Sequence, residues 1–434
     1  MRRPLLLVPL LLLISAPAAA QSLDFTGPSP WPAIRKERIA RLLPAAMRAA
    51  DVDAWVTIVR ENANDPLALH VGGENAGAPS GILFLRTDAG VRSVNIAGFG
   101  EAIALREVGT HDSVVVHDGS TDDLYRQVAA RVRQSGARRI AVNRGGTAVA
   151  DGLSASQAAA LERALGPEWT ARLVPSAELV QRWLEVKLPA EVAIMKRAAA
   201  LTAQLEAEAY ATVVPGVTTD SDLARFLKRR MRELGVEDGW SPAQNPSVNS
   251  GPDRGHSHAS DRVIQPGDLI QTDFGIKVHG VWVTDIQRFA YVLRPGETRA
   301  SAEAQRMWEA ARAGSRAAFA AMRPGATGAA VDSAQRLVMA AARSAPVPWS
   351  TGHAVGYWAH DAGPRLRRGE TATLREGMTF AYDGFYSYHL PGREGRPWGD
   401  GTKTLSPEEM VVITATGAEF LTAPQDELIV IRAR

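Results

Sequence analysis

Asp273 and Asp285 are the first residues whose surroundings point to chemistry. The run from Val281 to Tyr291 alternates, so Val281, Val283, Asp285, Gln287 and Phe289 share one sheet face. An aspartate among apolar neighbours on a buried face is costly unless something compensates its charge. Lys277 to Gly280 can turn the chain and set the Asp273 strand beside the Asp285 strand. Two carboxylates held close repel one another, and a divalent cation removes that penalty. An ordinary ion pair with Arg288 or Arg262 is the alternative, and for two aspartates alone it is the simpler reading.

His353 and His360 come next, in Gly352-His353-Ala354-Val355-Gly356-Tyr357-Trp358-Ala359-His360-Asp361. Their separation is not the four-residue spacing of a helical zinc pair. On a strand or extended loop, one imidazole can reach a metal and the other a substrate; equally, one can be a loop histidine and the other a core histidine. Glu408-Glu409 precede the strand-like run Met410 to Thr414 and the turn at Gly417. Alone, such a pair is most simply surface charge.

The elements that must position these groups fall into two parts. From Trp31 to about Leu184, the apolar runs Trp55–Val59, Ile82–Leu85, Val114–Val116 and Ile140–Val142 alternate with amphipathic segments such as Asp122–Arg133. Thr87-Asp88-Ala89-Gly90 reads as a hairpin turn. His70, His111 and His117 stand without acidic or histidine partners, so this part reads as a supporting domain, residues 21–185. Val186-Lys187-Leu188-Pro189 reads as a junction, with Pro189 suited to the first turn of a helix. Residues 186–434 then hold six of the nine histidines.

This second part repeats itself. Pro215-Gly216-Val217-Thr218 recurs as Pro324-Gly325-Ala326-Thr327, and the run Gly267 to Asp273 recurs as Gly377 to Asp383, both at an offset of about 110 residues. Two similar α+β halves are expected, with Asp273 and Asp383 facing each other across a central cleft.

Composition narrows the function. No cysteine is present, which excludes disulfides, iron–sulfur clusters and thiol nucleophiles. Arg2, Arg3, the apolar run Leu5–Ile14 and Ala18-Ala19-Ala20 read as an export signal over residues 1–20. An exported, periplasmic or secreted protein without a stable membrane anchor is expected. Loss of both arginines would bring the formal net charge from +2 to zero, without the basic excess of a nucleic-acid binder. The basic cluster Lys228-Arg229-Arg230-Arg232 alternates with apolar residues at helical spacing and reads as a solvated helix face. His389–Lys403, rich in Gly, Arg and Pro, either borders the cleft or is merely a loop, and a loop is the simpler reading.

Together these residues resemble the pita-bread metallopeptidases: aminopeptidase P, prolidase and methionine aminopeptidase, with creatinase as a metal-free relative. The resemblance covers nearly all of the chain after residue 20, including a creatinase-type α/β N-terminal domain. It implies an α+β pita-bread catalytic domain with a pseudo-twofold repeat, and metal ligands Asp273, Asp285, His353, Asp383 and Glu408. Thr414, Gly417, Leu421 and Thr422 follow Glu408 at the family's spacing. His258 and His360 match the two substrate histidines, and Asp383 matches the residue that also shuttles the proton.

The resemblance implies two divalent ions, manganese first, with cobalt, iron or zinc also suited to such oxygen-rich donors. It further implies hydrolysis of Xaa-Pro bonds in short peptides by a metal-bridging hydroxide, in a homodimer. Trp240, Trp282, Trp358 and Tyr382 are candidates for lining a proline pocket. Asp383 stands where the family has Glu, Gly384-Phe385 replaces Pro-Gly, and Ser406 replaces an arginine. Asp361 replaces Glu after His360, and Gln287 replaces Thr. A creatinase-like amidinohydrolase or metal-dependent lyase on the same fold, and a non-catalytic small-molecule or peptide binder, are the competing readings.

Overall fold

The computed structural model describes residues 23–62, 65–254, 258–399 and 401–432; the expected export signal lies outside them. The first part builds a six-stranded sheet from β1 (Ala54–Val59), β2 (Ser80–Thr87), β3 (Gly90–Ala97), β4 (Ser113–Val116), β5 (Ile140–Val142) and β6 (Leu173–Pro175). Its order is β4-β3-β2-β1-β5-β6. The turn expected at Thr87–Gly90 closes the β2–β3 hairpin, pairing Thr87 with Gly90. The helix Thr121–Ser135 begins at Ser120, whose hydroxyl accepts from the Asp123 amide, and ends at the left-handed Gly136. Its Leu124, Val128 and Val132 pack on the β1–β3 face.

The helix Pro189–Ala211 starts as expected at Pro189 and buries Met195, Ala198, Leu201 and Leu205. It packs against strands of the second part, which are β7 (Glu237–Asp238), β8 (Ser247–Ser250), β9 (Leu269–Phe274), β10 (Ile276–Val278), β11 (Trp282–Val283), β12 (Ile286–Val292), β13 (Gly352–Ala354), β14 (Thr379–Asp383), β15 (Tyr386–His389), β16 (Thr402–Leu405), β17 (Glu408–Ile413), β18 (Ala418–Phe420) and β19 (Ile429–Ile431). The main sheet runs β13-β14-β17-β12-β9-β8, with β18 beside β17 and β19 beside β12.

That order is a mirror about the β12–β17 seam. Helices Pro189–Ala211 and Asp220–Glu233 precede β8, β9 and β12; helices Ala302–Ala321 and Gly328–Ala341 precede β13, β14 and β17. The expected repeat is therefore present as two halves joined at their inner strands. On Asp220–Glu233, Leu223, Leu227 and Met231 face the core while Arg230 pairs with Glu208 and Glu233, so the basic cluster is a solvated face.

Two local expectations need correction. The run Val281–Tyr291 is not one strand. β11 pairs with β10 in a separate three-stranded sheet, β12 joins the main sheet, and Thr284-Asp285 bridges them. The break is held by Thr284, whose hydroxyl meets that of Thr202 at 2.7 Å and accepts from the Ile276 amide at 2.9 Å. Secondly, of the two readings of His389–Lys403 the simpler one, a mere loop, gives way to the one that borders the cleft. It closes the β15–β16 hairpin and its Trp398 lines the central cavity.

Candidate metal centre

Sheet register brings the distant acids together. Ser247 pairs with Asp273, Asp273 with Gln287, Gln287 with Glu408, and Glu408 with Asp383, so one row crosses β8, β9, β12, β17 and β14. Directly paired residues of antiparallel strands project to the same face. Asp285, two residues before Gln287, leads into that face, and His353 reaches it from β13, paired with Ala381. All five expected ligands line one cavity of about 420 Å³. Asp273, Asp285, Asp383 and Glu408 are each no more than 7% exposed.

Alternation separates the two glutamates. They lie within β17, not ahead of it, and Glu408 faces the cavity. Glu409 faces the opposite side, where Arg288 donates to it at 3.0 Å and the Thr422 hydroxyl at 2.6 Å. Arg288 is thereby paired with Glu409, and Arg262 with Asp268. Among the described residues, neither arginine forms an ion pair with Asp273 or Asp285, so the simple ion-pair reading of those aspartates fails.

Burial and like charges act on two of these acids. Burial pushes the Asp285 carboxyl well above the usual range, followed by repulsion from Glu408, Asp273 and Asp383. Asp383 moves the same way, through burial and then Glu408 and Asp273. His353 moves oppositely: burial and then its neighbour His360 lower it to about 3, so it is a neutral imidazole. Its Nδ1 stands 3.2 Å from the Ala354 carbonyl, which can only accept, so Nδ1 carries the proton.

The Nε2 lone pair then faces Asp285 at 3.7 Å and Glu408 at 3.8 Å. Three acceptor groups converge, with one ligand atom from each lying within 4.8 Å of the others. A cation fits that donor set; another hydrogen-bond acceptor does not.

The surrounding cavity has one wall from each expected group and several that were not expected. His360 lines it and places its ring 4.3 Å from that of His353. His258 is exposed and is not among the cavity-lining residues, so the two expected substrate histidines are not brought together. Of the four aromatic candidates only Trp240 lines the cavity. Trp282 is fully buried in the core, Trp358 lies tilted against His70, and Tyr382 points to the opposite sheet face with its hydroxyl 3.4 Å from Ser315. Trp349 and Trp398, edge to face at 4.5 Å, form the aromatic wall that sequence reasoning missed. Both lie in irregular segments where no periodicity could point to them.

Asp361 turns away from the cavity to pair with the buried Lys187 at 3.0 Å, while accepting from the Tyr357 amide at 2.9 Å. Those contacts anchor the short segment that carries His360.

The fold and this site define a metallopeptidase of the two-half α+β type. The sequence profile of metallopeptidase family M24 matches residues 193–415, and the chain belongs to that family. It is 30% identical over 289 residues to the probable dipeptidase PepE of Mycobacterium bovis, covering 66% of this chain and 70% of the relative. The crystal structure of dipeptidase PepE from Mycobacterium ulcerans is similar at TM-score 0.68 and 25% identity, covering 92% of this chain and 99% of that one. The Xaa-Pro dipeptidase from Bacillus anthracis shares the fold at TM-score 0.68 and 21% identity, covering 92% of this chain and all of the other.

Proposed function

We propose that this chain is an exported peptidase that holds two divalent metal ions, manganese first, and cleaves Xaa-Pro bonds in short peptides. The observation that carries the reading is the row Asp273, Glu408 and Asp383, joined by Asp285 and His353, opening into a cavity of about 420 Å³. The similarity to dipeptidases, one of them an Xaa-Pro dipeptidase, supports the substrate class. Asp273, Asp285, His353, Asp383 and Glu408 would hold the ions. Bound there, the ions would polarise the scissile carbonyl and acidify a water near neutral pH.

The chain's own groups divide the remaining work. Neutral His353 stays a ligand over the whole physiological pH range. His360 donates to the oxygen on which charge develops. Asp383 accepts a proton at its carboxylate and returns it to the leaving nitrogen. Trp349, Trp398 and Trp240 enclose the apolar side of the peptide and exclude water. His258, exposed and away from the cavity lining, takes no part.

Residues 1–20 are removed on export in this reading, residues 21–185 support the catalytic part 186–434, and two copies assemble as a dimer. Among the described residues, no helix is long and apolar enough to cross a membrane. The decisive experiment follows free proline released from Xaa-Pro dipeptides by the purified protein, with metal content measured alongside. Two ions per chain and turnover abolished by chelation support the proposal. Bound metal with equal turnover of dipeptides lacking proline, or with no turnover at all, overturns the substrate class or the enzyme respectively.

A further inference from the structure

The side chains of Gln287, Asp383 and Ser406 form one hydrogen-bonded unit within the carboxylate row. Gln287 on β12 and Asp383 on β14 are separated by β17. Strands lie about 4.8 Å apart, so a contact across an intervening strand must span roughly twice that distance. A short side chain at position 287 cannot reach; the glutamine does, and its Nε2 donates to Asp383 Oδ1 at 3.2 Å. The orientation of the amide is decided on its other side. Gln287 Oε1 accepts from the Ser406 hydroxyl at 2.9 Å and from Gln271 Nε2 at 2.5 Å. A carboxylate on one side and a hydroxyl and an amide able to donate on the other place the NH2 group toward Asp383.

We infer that Gln287 is a positioning residue that engages one oxygen of the short Asp383 carboxylate with its amide, so that the other oxygen, Oδ2, would serve a cation bound there. A carboxylate shortened by one methylene reaches about 1.5 Å less far. The long amide compensates by holding that carboxylate in one rotamer beside Glu408. On this view Asp383 and Gln287 form a matched pair, exchangeable for a longer acid with a shorter partner. Ser406 belongs to the pair because it holds the amide against flipping. The inference rests on the reading of Asp383 as a ligand.

The test is a double-mutant cycle on metal-stripped protein: wild type, Gln287→Thr, Asp383→Glu and the combination. Manganese affinity and stoichiometry are measured by calorimetry, and metal-free melting temperature confirms folding. Each single change is expected to weaken manganese binding by about 10- to 100-fold, the usual effect of losing a partner of a metal ligand. The double variant is expected to regain most of that loss, a rescue that a merely structural role would not produce.

Ser406→Ala, a small change at the cavity wall, gives an independent reading if Gln287→Thr does not fold. Freeing the amide should weaken binding about two- to tenfold. Gln287→Thr binding as wild type, or losses that simply add in the double variant, would overturn the inference while leaving the metal site intact. A wild-type protein that takes up no manganese would remove the metal site itself.

Discussion

At the residue scale, a buried cluster of acids with a neutral imidazole is folded against its own electrostatics. Asp285 makes the point most directly, since burial and four like charges all raise its carboxyl. A carboxyl raised in the folded state means that the folded chain holds protons, or repulsion, that the unfolded chain avoids at neutral pH. Asp285→Asn should therefore stabilise the chelated protein at pH 7, by about 1.4 kcal/mol for each tenfold excess of proton affinity that the change removes. If manganese stabilises wild type as proposed, the same variant should lose that stabilisation, and its peptidase turnover should fall by more than about a hundredfold, beyond the effect of an outer partner. Paired urea titrations, with manganese and with chelator, measure both signs. A variant less stable than wild type without metal would show that Asp285 is not held against repulsion.

At the element scale, two things position the histidine pair: strand β13 for His353 and the anchored segment ending at Asp361 for His360. Lys187, fully buried, also donates to the Leu184 carbonyl at 2.7 Å and lies over the Tyr357 ring at 4.5 Å. Removing one partner of such a pair leaves an uncompensated charge inside the protein. Lys187→Met should cost about 3–5 kcal/mol of stability in urea unfolding. The double variant Lys187→Met with Asp361→Leu should recover most of that stability but not the turnover, because the segment bearing His360 has lost its anchor. Recovery of both would mean that the ion pair matters only for folding.

Elements also differ in how far the sequence announces them. Strands and their acids could be read because alternation and an internal repeat are patterns carried by the sequence itself; the repeat alone places Asp383 opposite Asp273. The split at Thr284-Asp285 could not, since an alternating run looks the same whether it serves one sheet or two. Trp349 and Trp398 were illegible for a similar reason, as loop residues brought together only by the closed fold. Glu408 and Glu409 go to opposite faces because their strand begins at Glu408, a boundary that two adjacent acids do not mark.

At the scale of the whole molecule, the two parts share a core. One apolar cluster includes Trp55, Val59 and Phe84 from the first sheet region together with Met195, Phe274, Trp282 and Met410 from the second. Trp31 stands edge to face with Trp282 at 5.7 Å and with Tyr357 at 5.9 Å. His70 sits in the same seam, 4.6 Å from Tyr357 and 5.3 Å from Trp358. Burial, then Arg38, Lys187 and Arg35, holds it well below its ordinary value. His111, beside Phe84, is lowered to about 4 by burial and then Arg35, with Gly72 and Asp112 opposing. Both imidazoles are thus neutral when folded and protonated when unfolded below about pH 6.5.

Over that window the unfolded chain binds the extra protons, so stability rises with pH and falls as the solution is acidified. Each excluded proton contributes a slope of about 1.4 kcal/mol per pH unit. For His111 the slope should run from about pH 6.5 down to about 4, below which the folded protein takes up the proton too and the slope ends. His111→Gln removes that one proton and leaves His70 in place. Unfolding free energies measured every half unit should therefore show a shallower acid limb for the variant than for wild type, the two curves running parallel below about pH 4 and above about 6.5. Parallel curves throughout would mean that His111 titrates alike in the folded and unfolded chain, and that the shared core does not hold it neutral.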